Sequence, residues 1–318
     1  MICLITGITG FVGSHMAEFL LEKGHQVHGL KRWRSPMNNI WHIQDKISLH
    51  DCDLNDPKSV FEIIRKIKPE RIYHLAAQSF VPASFNNPTE TLRTNIIGTA
   101  NLLNAILLTE INPKIHICSS SEVYGQVLPN ETPIDENNPL RPQSPYAVSK
   151  VGEDLLSQQY YRSHKLHTVI TRAFTHTGPR RGDVFVESSF AKQIAMIEKG
   201  LQKPILKVGN LNSIRTFCDV RDTINAYYLV LEKGRAGEVY VVGGNETMTI
   251  GQMLDKLLLM SDIKVKVEVD PLLLRPADVT LQIPNTKKLQ DATGWKPVIP
   301  VEQTLRDLLN YWREEVGD

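Results

Sequence analysis

Cysteine is scarce in this 318-residue chain: Cys3, Cys52, Cys118 and Cys218 are far apart and form no paired ligand spacing. That argues against a disulfide framework and a structural zinc, and leaves buried free thiols as the expectation. Long hydrophobic runs are also missing. No apolar stretch approaches the about 18 residues of a spanning helix, and the amino terminus enters MICLITGITG without a basic region, an apolar segment and a cleavage site in succession. A cytoplasmic protein with no membrane partner is expected. Excess charge is absent too, with Lys+Arg at 36 against Asp+Glu at 35, a net of +1. No global field would draw nucleic acid or an anionic membrane, so an anionic ligand must be held by local groups. His164 and His167 in HKLH stand three apart with no third ligand evident, and no metal site is expected.

What is present is an alternation. Short apolar runs, ICLIT (2–6), HQVHGL (25–30), KISLHD (46–51), RIYHLA (71–76), KIHICS (114–119), LHTVITR (166–172) and EVYVVG (238–243), are separated by helix-like segments. Continuous Val/Ile/Leu runs between helices are what a parallel sheet covered on both faces requires, so the fold class is α/β, a doubly wound parallel sheet. In SHMAEFLLEKG (14–24) Met16, Phe19 and Leu20 share one helical face and Gly24 supplies a C-cap. The segment 95–108 is apolar around most of its circumference, which suits a helix buried on two sides. From about Thr175 the alternation fades, with helices expected around 187–199, 249–261 and 301–315. The expected division is a dinucleotide-binding domain over 1–174 and 217–245 and a smaller α/β lobe over 175–216 and 246–318.

TGITGFVG (6–13) follows the first strand and opens the first helix. Gly7, Gly10 and Gly13, with Thr9, Phe11 and Val12 between them, let the backbone turn tightly and bring a helix N-terminus against a pyrophosphate. A tight turn without a ligand is the alternative. After the second strand, where a carboxylate would favour NAD, the chain has Lys31, Arg32 and Arg34. Such cations suit a 2′-phosphate, so NADP is expected with Arg32 as ligand, against the alternative of a solvated basic loop. Asp53 and Leu54 stand at the adenine position, and Leu75, Ala76 and Ala77 end the fourth strand with side chains small enough for close approach.

Tyr146 and Lys150 are i and i+4 and share a helical face behind Pro145. An ammonium beside a phenol favours phenolate and lowers its pKa from about 10 toward neutrality, which makes a base for a sugar or alcohol hydroxyl. By itself the pair is weak, since surface pairs at that spacing are common. Its weight comes from SSSEVYG (119–125), which ends the fifth strand at the edge where doubly wound sheets hold ligands and brings Ser120 and Glu122 to the same crevice.

Together these residues resemble the extended short-chain dehydrogenase/reductase family, whose nucleotide-sugar members carry TGxxGxxG, a Ser or Thr after the fifth strand, and YxxxK. The resemblance runs over essentially the whole chain. Within the family, ITGITG, LAAQSFV, SSSEVYG, SPYAVSK, THTGPRRG and RPADV look most like the GDP-mannose 4,6-dehydratases, while FAKQIA, KVGNL and ATGWKP are shared with the sister GDP-4-keto-6-deoxymannose reductases. The resemblance implies a GDP-sugar substrate, NADP, a homodimer or homotetramer, and dehydration by internal hydride transfer. Tyr146 would be the base for the 4-hydroxyl, Glu122 the base at carbon 5, Ser120 a hydrogen-bond donor to the 4-oxygen, and Lys150 the residue that poises Tyr146 and holds the nicotinamide ribose. It assigns Ser79, Thr175, Val186, Arg215, Arg275 and Asp278 to the substrate. The chain departs from the pattern at Thr175, where asparagine is usual, at Ser189, where lysine is usual, and at Asp278, where glutamate is usual. A nucleotide-sugar 4-epimerase and a non-catalytic NADP-binding sensor or scaffold are alternatives on the same fold.

Overall fold

The computed structural model describes residues 1–274 and 279–317. Its central sheet has strands β1 (Ile2–Thr6), β2 (Gln26–Lys31), β3 (Ser48–Asp51), β4 (Arg71–His74), β5 (Lys114–Ser120) and β6 (Thr168–Ala173), with Val239–Val242 at one edge. Each expected apolar run supplies one strand. From that edge the order is Val239–Val242, β6, β5, β4, β1, β2, β3, and all six pairings are parallel. Both faces are covered, which is why the runs are apolar without alternation: Leu4, Ile72, Ile115 and Ile117 join one core, and Cys3, Ile5, Tyr73 and Val169 the other.

The first helix spans Phe11–Glu22, starting three residues before the expected 14–24 because it begins inside the glycine turn. Met16 and Leu20 are buried on the sheet, Phe19 packs beside them, and Gly24 takes φ +74° just past the helix. The apolar segment 95–108 opens as a π-helical turn, Arg93–Ile97, and continues as Gly98–Leu108. Leu102, Leu103 and Ile106 are buried in the sheet core, whereas Ile97 and Leu108 are exposed. A second core gathers Phe190, Ile194, Leu206, Met253, Leu254, Leu305 and Leu308. It is enclosed by the helices Val186–Glu198, Ile250–Leu258 and Val301–Glu315, close to their expected positions, and a parallel strand pair, Ile205–Val208 with Lys266–Val269. Trp295 and Leu289, late in the chain, return to the sheet core against the helix Val220–Lys233.

Cys3, Cys52 and Cys218 are buried free thiols as expected, but Cys118 is only half-buried because it stands at the open end of β5. Among the described residues no helix is long and apolar enough to cross a membrane.

Two histidines lie inside this packing. His74 and His116 are at most 1% exposed, and burial, reinforced by the positive charge of Lys150, pushes each down to about 3. Because the folded value lies below the unfolded one near 6.5, the unfolded chain binds more protons, and the stabilisation present above pH 6.5 is lost as pH falls toward 3. Replacing His116 with Gln should therefore shrink the stability gap between wild type and variant by about 1 kcal/mol from pH 7 to about pH 5.5. Paired urea titrations check this; a gap that does not change with pH contradicts the neutral, buried assignment.

Candidate active site

The carboxyl ends of β1, β2, β4, β5 and β6 open into one cleft of about 1060 Å³ shared with the second core. At β1 the chain turns sharply: Gly7 has φ +73°, and a Cβ there would lie 2.9 Å from Ala76 Cα. A Cβ on Gly13 would lie 2.2 Å from the Gly7 carbonyl oxygen. These absences of side chain bring backbone to the cleft wall, and the helix Phe11–Glu22 starts at Gly10 with no side chain capping it. Its first N–H groups face the cleft with their dipole, the environment an anion needs. Lys31 and Arg32 line the same end; Lys31 is bound to Asp51 at 2.5 Å, and Arg34 stacks over Trp33.

A buried polar chain crosses from this loop to the other wall. Thr6 Oγ1 accepts from the backbone N–H of Leu75 and Ala76, both at 3.1 Å, and donates to His74 Nδ1 at 2.8 Å. His74 Nε2 then donates to Thr99 Oγ1 at 2.9 Å, and Thr99 donates to the Asn95 carbonyl at 2.6 Å. The Asn95 side chain accepts from Gln78 N–H (2.8 Å) and donates to Gln78 O (3.0 Å) and Ser149 Oγ (2.8 Å). Ser149 in turn donates to the Tyr146 carbonyl at 2.6 Å.

The helix Pro145–His164 is started by Ser144, whose Oγ accepts from Ala147 N–H at 3.1 Å, with Pro145 in its first turn. Tyr146 and Lys150 project from it into the cleft, 8% and 3% exposed. Opposite them, Ser120 ends β5 and its Oγ accepts from Glu122 N–H at 3.2 Å, capping the turn Ser121–Tyr124. The Ser120 hydroxyl and the Tyr146 phenol line the same part of the cleft. Glu122, half-buried, lines the cleft from that turn. The expectation that Lys150 draws the phenol toward neutrality needs correction for the free protein. Burial pushes Tyr146 up, and the pull of Lys150 and of the Ser120 hydroxyl does not offset it.

The same cleft is lined by Thr9, Phe11, Val12, Asp53, Leu54, Leu75, Ala77, Ser79, Thr175, Val186 and Arg215. The Arg215 guanidinium donates to the carbonyls of Ile214 and Val279. Arg275 and Asp278 lie outside the described residues. Two residues here were missed in reading the sequence. Glu153 is ion-paired with Lys150 at 2.7 Å, and its i+3 spacing was a usable signal. Arg181, 3.5 Å over the Phe185 ring and paired with Glu187 at 3.4 Å, also lines the cleft, with nothing in local spacing to single it out.

The GDP-mannose 4,6 dehydratase family model matches residues 4–308. A GDP-6-deoxy-D-mannose reductase from Pseudomonas aeruginosa is 33% identical over 314 residues, covering 99% of this chain and 98% of that protein. A GDP-mannose 4,6-dehydratase from Yersinia enterocolitica is 33% identical over 346 residues, covering 96% and 92%. Among solved structures, RMD from Pseudomonas aeruginosa complexed with NADPH superposes with a TM-score of 0.87 at 33% identity, covering 99% of each chain. A UDP-glucose 4-epimerase from Thermotoga maritima superposes with a TM-score of 0.89 at 25% identity, covering 99% of this chain and 100% of that one.

Removing the middle of the polar chain should loosen both walls. Asn95→Ala would remove the side-chain partner of the Gln78 N–H and carbonyl beside a position only 1% exposed, so a loss of about 3 kcal/mol in unfolding free energy is expected. Denaturant unfolding measures it; a loss below about 0.5 kcal/mol would show that the chain does not tie the walls together.

Proposed function

This chain belongs to the GDP-mannose 4,6 dehydratase family, and on that premise we propose that it converts GDP-mannose to GDP-4-keto-6-deoxymannose, using NADP as an internal hydride carrier. The observation that carries the reading is Glu122 on the same cleft as Ser120 and Tyr146. Reduction of a ketone needs one proton donor, and the phenol suffices. Loss of water across carbons 5 and 6 needs a second group, a carboxylate able to take a proton from carbon and return one to oxygen.

The residues fit a dinucleotide. The side-chain-free wall at Gly7 and Gly13 and the uncapped helix start suit the pyrophosphate; Arg32 suits the 2′-phosphate, Asp53 and Leu54 the adenosine, and Lys150 the nicotinamide ribose. Held by these residues, the cofactor would supply reversible hydride transfer, between carbon 4 and carbon 6 of the sugar. Tyr146 accepts the proton of the 4-hydroxyl while Ser120 holds that oxygen. The resulting ketone acidifies carbon 5, from which Glu122 removes the proton and delivers one to the departing 6-hydroxyl; a proton restored at carbon 5 completes the cycle. Ser79, Thr175, Val186 and Arg215 contribute to the sugar-nucleotide side, with 175–216 and 246–318 as the substrate lobe. Exposed Ile97, Leu108, Val148 and Leu155 support self-association as a homodimer or homotetramer.

A second reading is the reductase acting on the 4-keto product, favoured by the alignment of the Pseudomonas reductase over 98% of its own length in only 314 aligned residues. Incubation with GDP-mannose and catalytic NADP⁺ separates the two. A 4-keto-6-deoxy product without net NADPH is expected, and Glu122→Gln should slow its formation about 100-fold or more while the 4-oxidised sugar accumulates. Stoichiometric NADPH consumption on the 4-keto sugar, with GDP-mannose inert, would identify the reductase.

A further inference from the structure

Lys150 donates to the Cys118 carbonyl and to Glu153 Oε2, each at 2.7 Å, so two of the three N–H groups on a tetrahedral ammonium are fixed by protein atoms. The direction of the remaining one is thereby set as Lys150 lines the cleft. Glu153 itself is 1% exposed, and its Oε1 has no hydrogen-bond partner among the described residues. A half-satisfied buried carboxylate contributes little to stability. Its charge still acts on the neighbouring phenol, because at this depth charge is poorly screened. Burial pushes the Glu153 carboxyl up while Lys150 pulls it down, and the carboxylate raises the proton affinity of Tyr146 against the lowering effect of Lys150.

We propose that Glu153 is a positioning residue for the Tyr146–Lys150 pair: it aims the Lys150 ammonium and cancels part of its field, thereby setting the proton affinity of the phenol. The proposal rests on the reading of Tyr146 as the base. The other charged and titratable groups around the pair come from several elements. Asp154, next on the helix, is bound to Arg172 of β6 at 2.8 Å. Cys118 and His116 come from β5 and His74 from β4, while Tyr227, from the helix Val220–Lys233, meets the Cys118 thiol at 3.3 Å. His74 and His116 stay neutral, the Asp154 charge is compensated by Arg172, burial raises the Cys118 thiol, and Arg181, the cation that acts on Tyr146 from across the cleft, is paired with Glu187. Glu153 is thus the carboxylate in direct contact with the ammonium that pulls the Tyr146 phenol down.

The test needs no substrate. The phenolate of Tyr146 is titrated by ultraviolet absorbance in the free protein, with Tyr146→Phe as the reference that identifies its contribution. Glu153→Gln keeps shape and a hydrogen-bond acceptor but removes the charge, so the Tyr146 titration should move down by about one pH unit, roughly tenfold more phenolate at a given pH. Glu153→Asp retains the charge at shorter reach and should shift it the same way by less; if the Gln variant does not fold, the Asp variant decides. A titration that stays in place or moves upward in the folded variant overturns the proposal. Because absorbance reads the free protein, a chain that fails to turn over GDP-mannose would sink the functional reading and leave this one standing or falling on its own result.

Discussion

A lysine ammonium with a side chain 4% exposed must be compensated where it sits, and much of the structure around the cleft follows from that need. The Cys118 carbonyl at the end of β5 and the Glu153 carboxylate on the lysine's own helix supply the compensation. The same positive charge helps keep His74 and His116 neutral. A neutral His74 with its proton on Nε2 can link Thr6 to Thr99, and through them the glycine turn to the helix that carries Tyr146. Moving or discharging Lys150 would therefore be felt at both walls of the cleft.

The sheet explains why these parts meet. In an all-parallel sheet every carboxyl end falls on one edge, and crossovers after β1, β4 and β5 deliver the glycine turn, the Leu75–Ala77 segment and the Ser120–Glu122 turn to it. The second core closes the opposite side with Thr175, Val186 and Arg215. A phenol, a carboxylate and a hydroxyl thus share one cleft of about 1060 Å³.

The inner strands were legible because a strand buried on both faces must be apolar without alternation; the edge strand Ser48–Asp51, half-exposed, was legible mainly from its place in the alternation. Tyr146 with Lys150 was legible from helical spacing, and Ser120 and Glu122 from standing after a strand. What remained hidden depends on contacts distant in sequence. Asn95 meets Gln78 and Ser149 across 17 and 54 residues, and no local pattern marks it. Glu153 had the right spacing, but its depth, which gives the ion pair its force, comes from the packing of the helix on β5 and β6. The net upward push on Tyr146 was misjudged for the same reason: spacing reveals the cation but not the desolvation that outweighs it.

Under the proposed function, one cleft oxidises carbon 4 and reduces carbon 6 of the same sugar. GDP-mannose deuterated at carbon 4 measures this most directly, with mass and NMR analysis locating the label after turnover with catalytic unlabelled NADP⁺. Deuterium at carbon 6 of the 4-keto-6-deoxy product is the expected result. Deuterium found instead in accumulated reduced cofactor, or labelled GDP-mannose recovered unchanged, would contradict it.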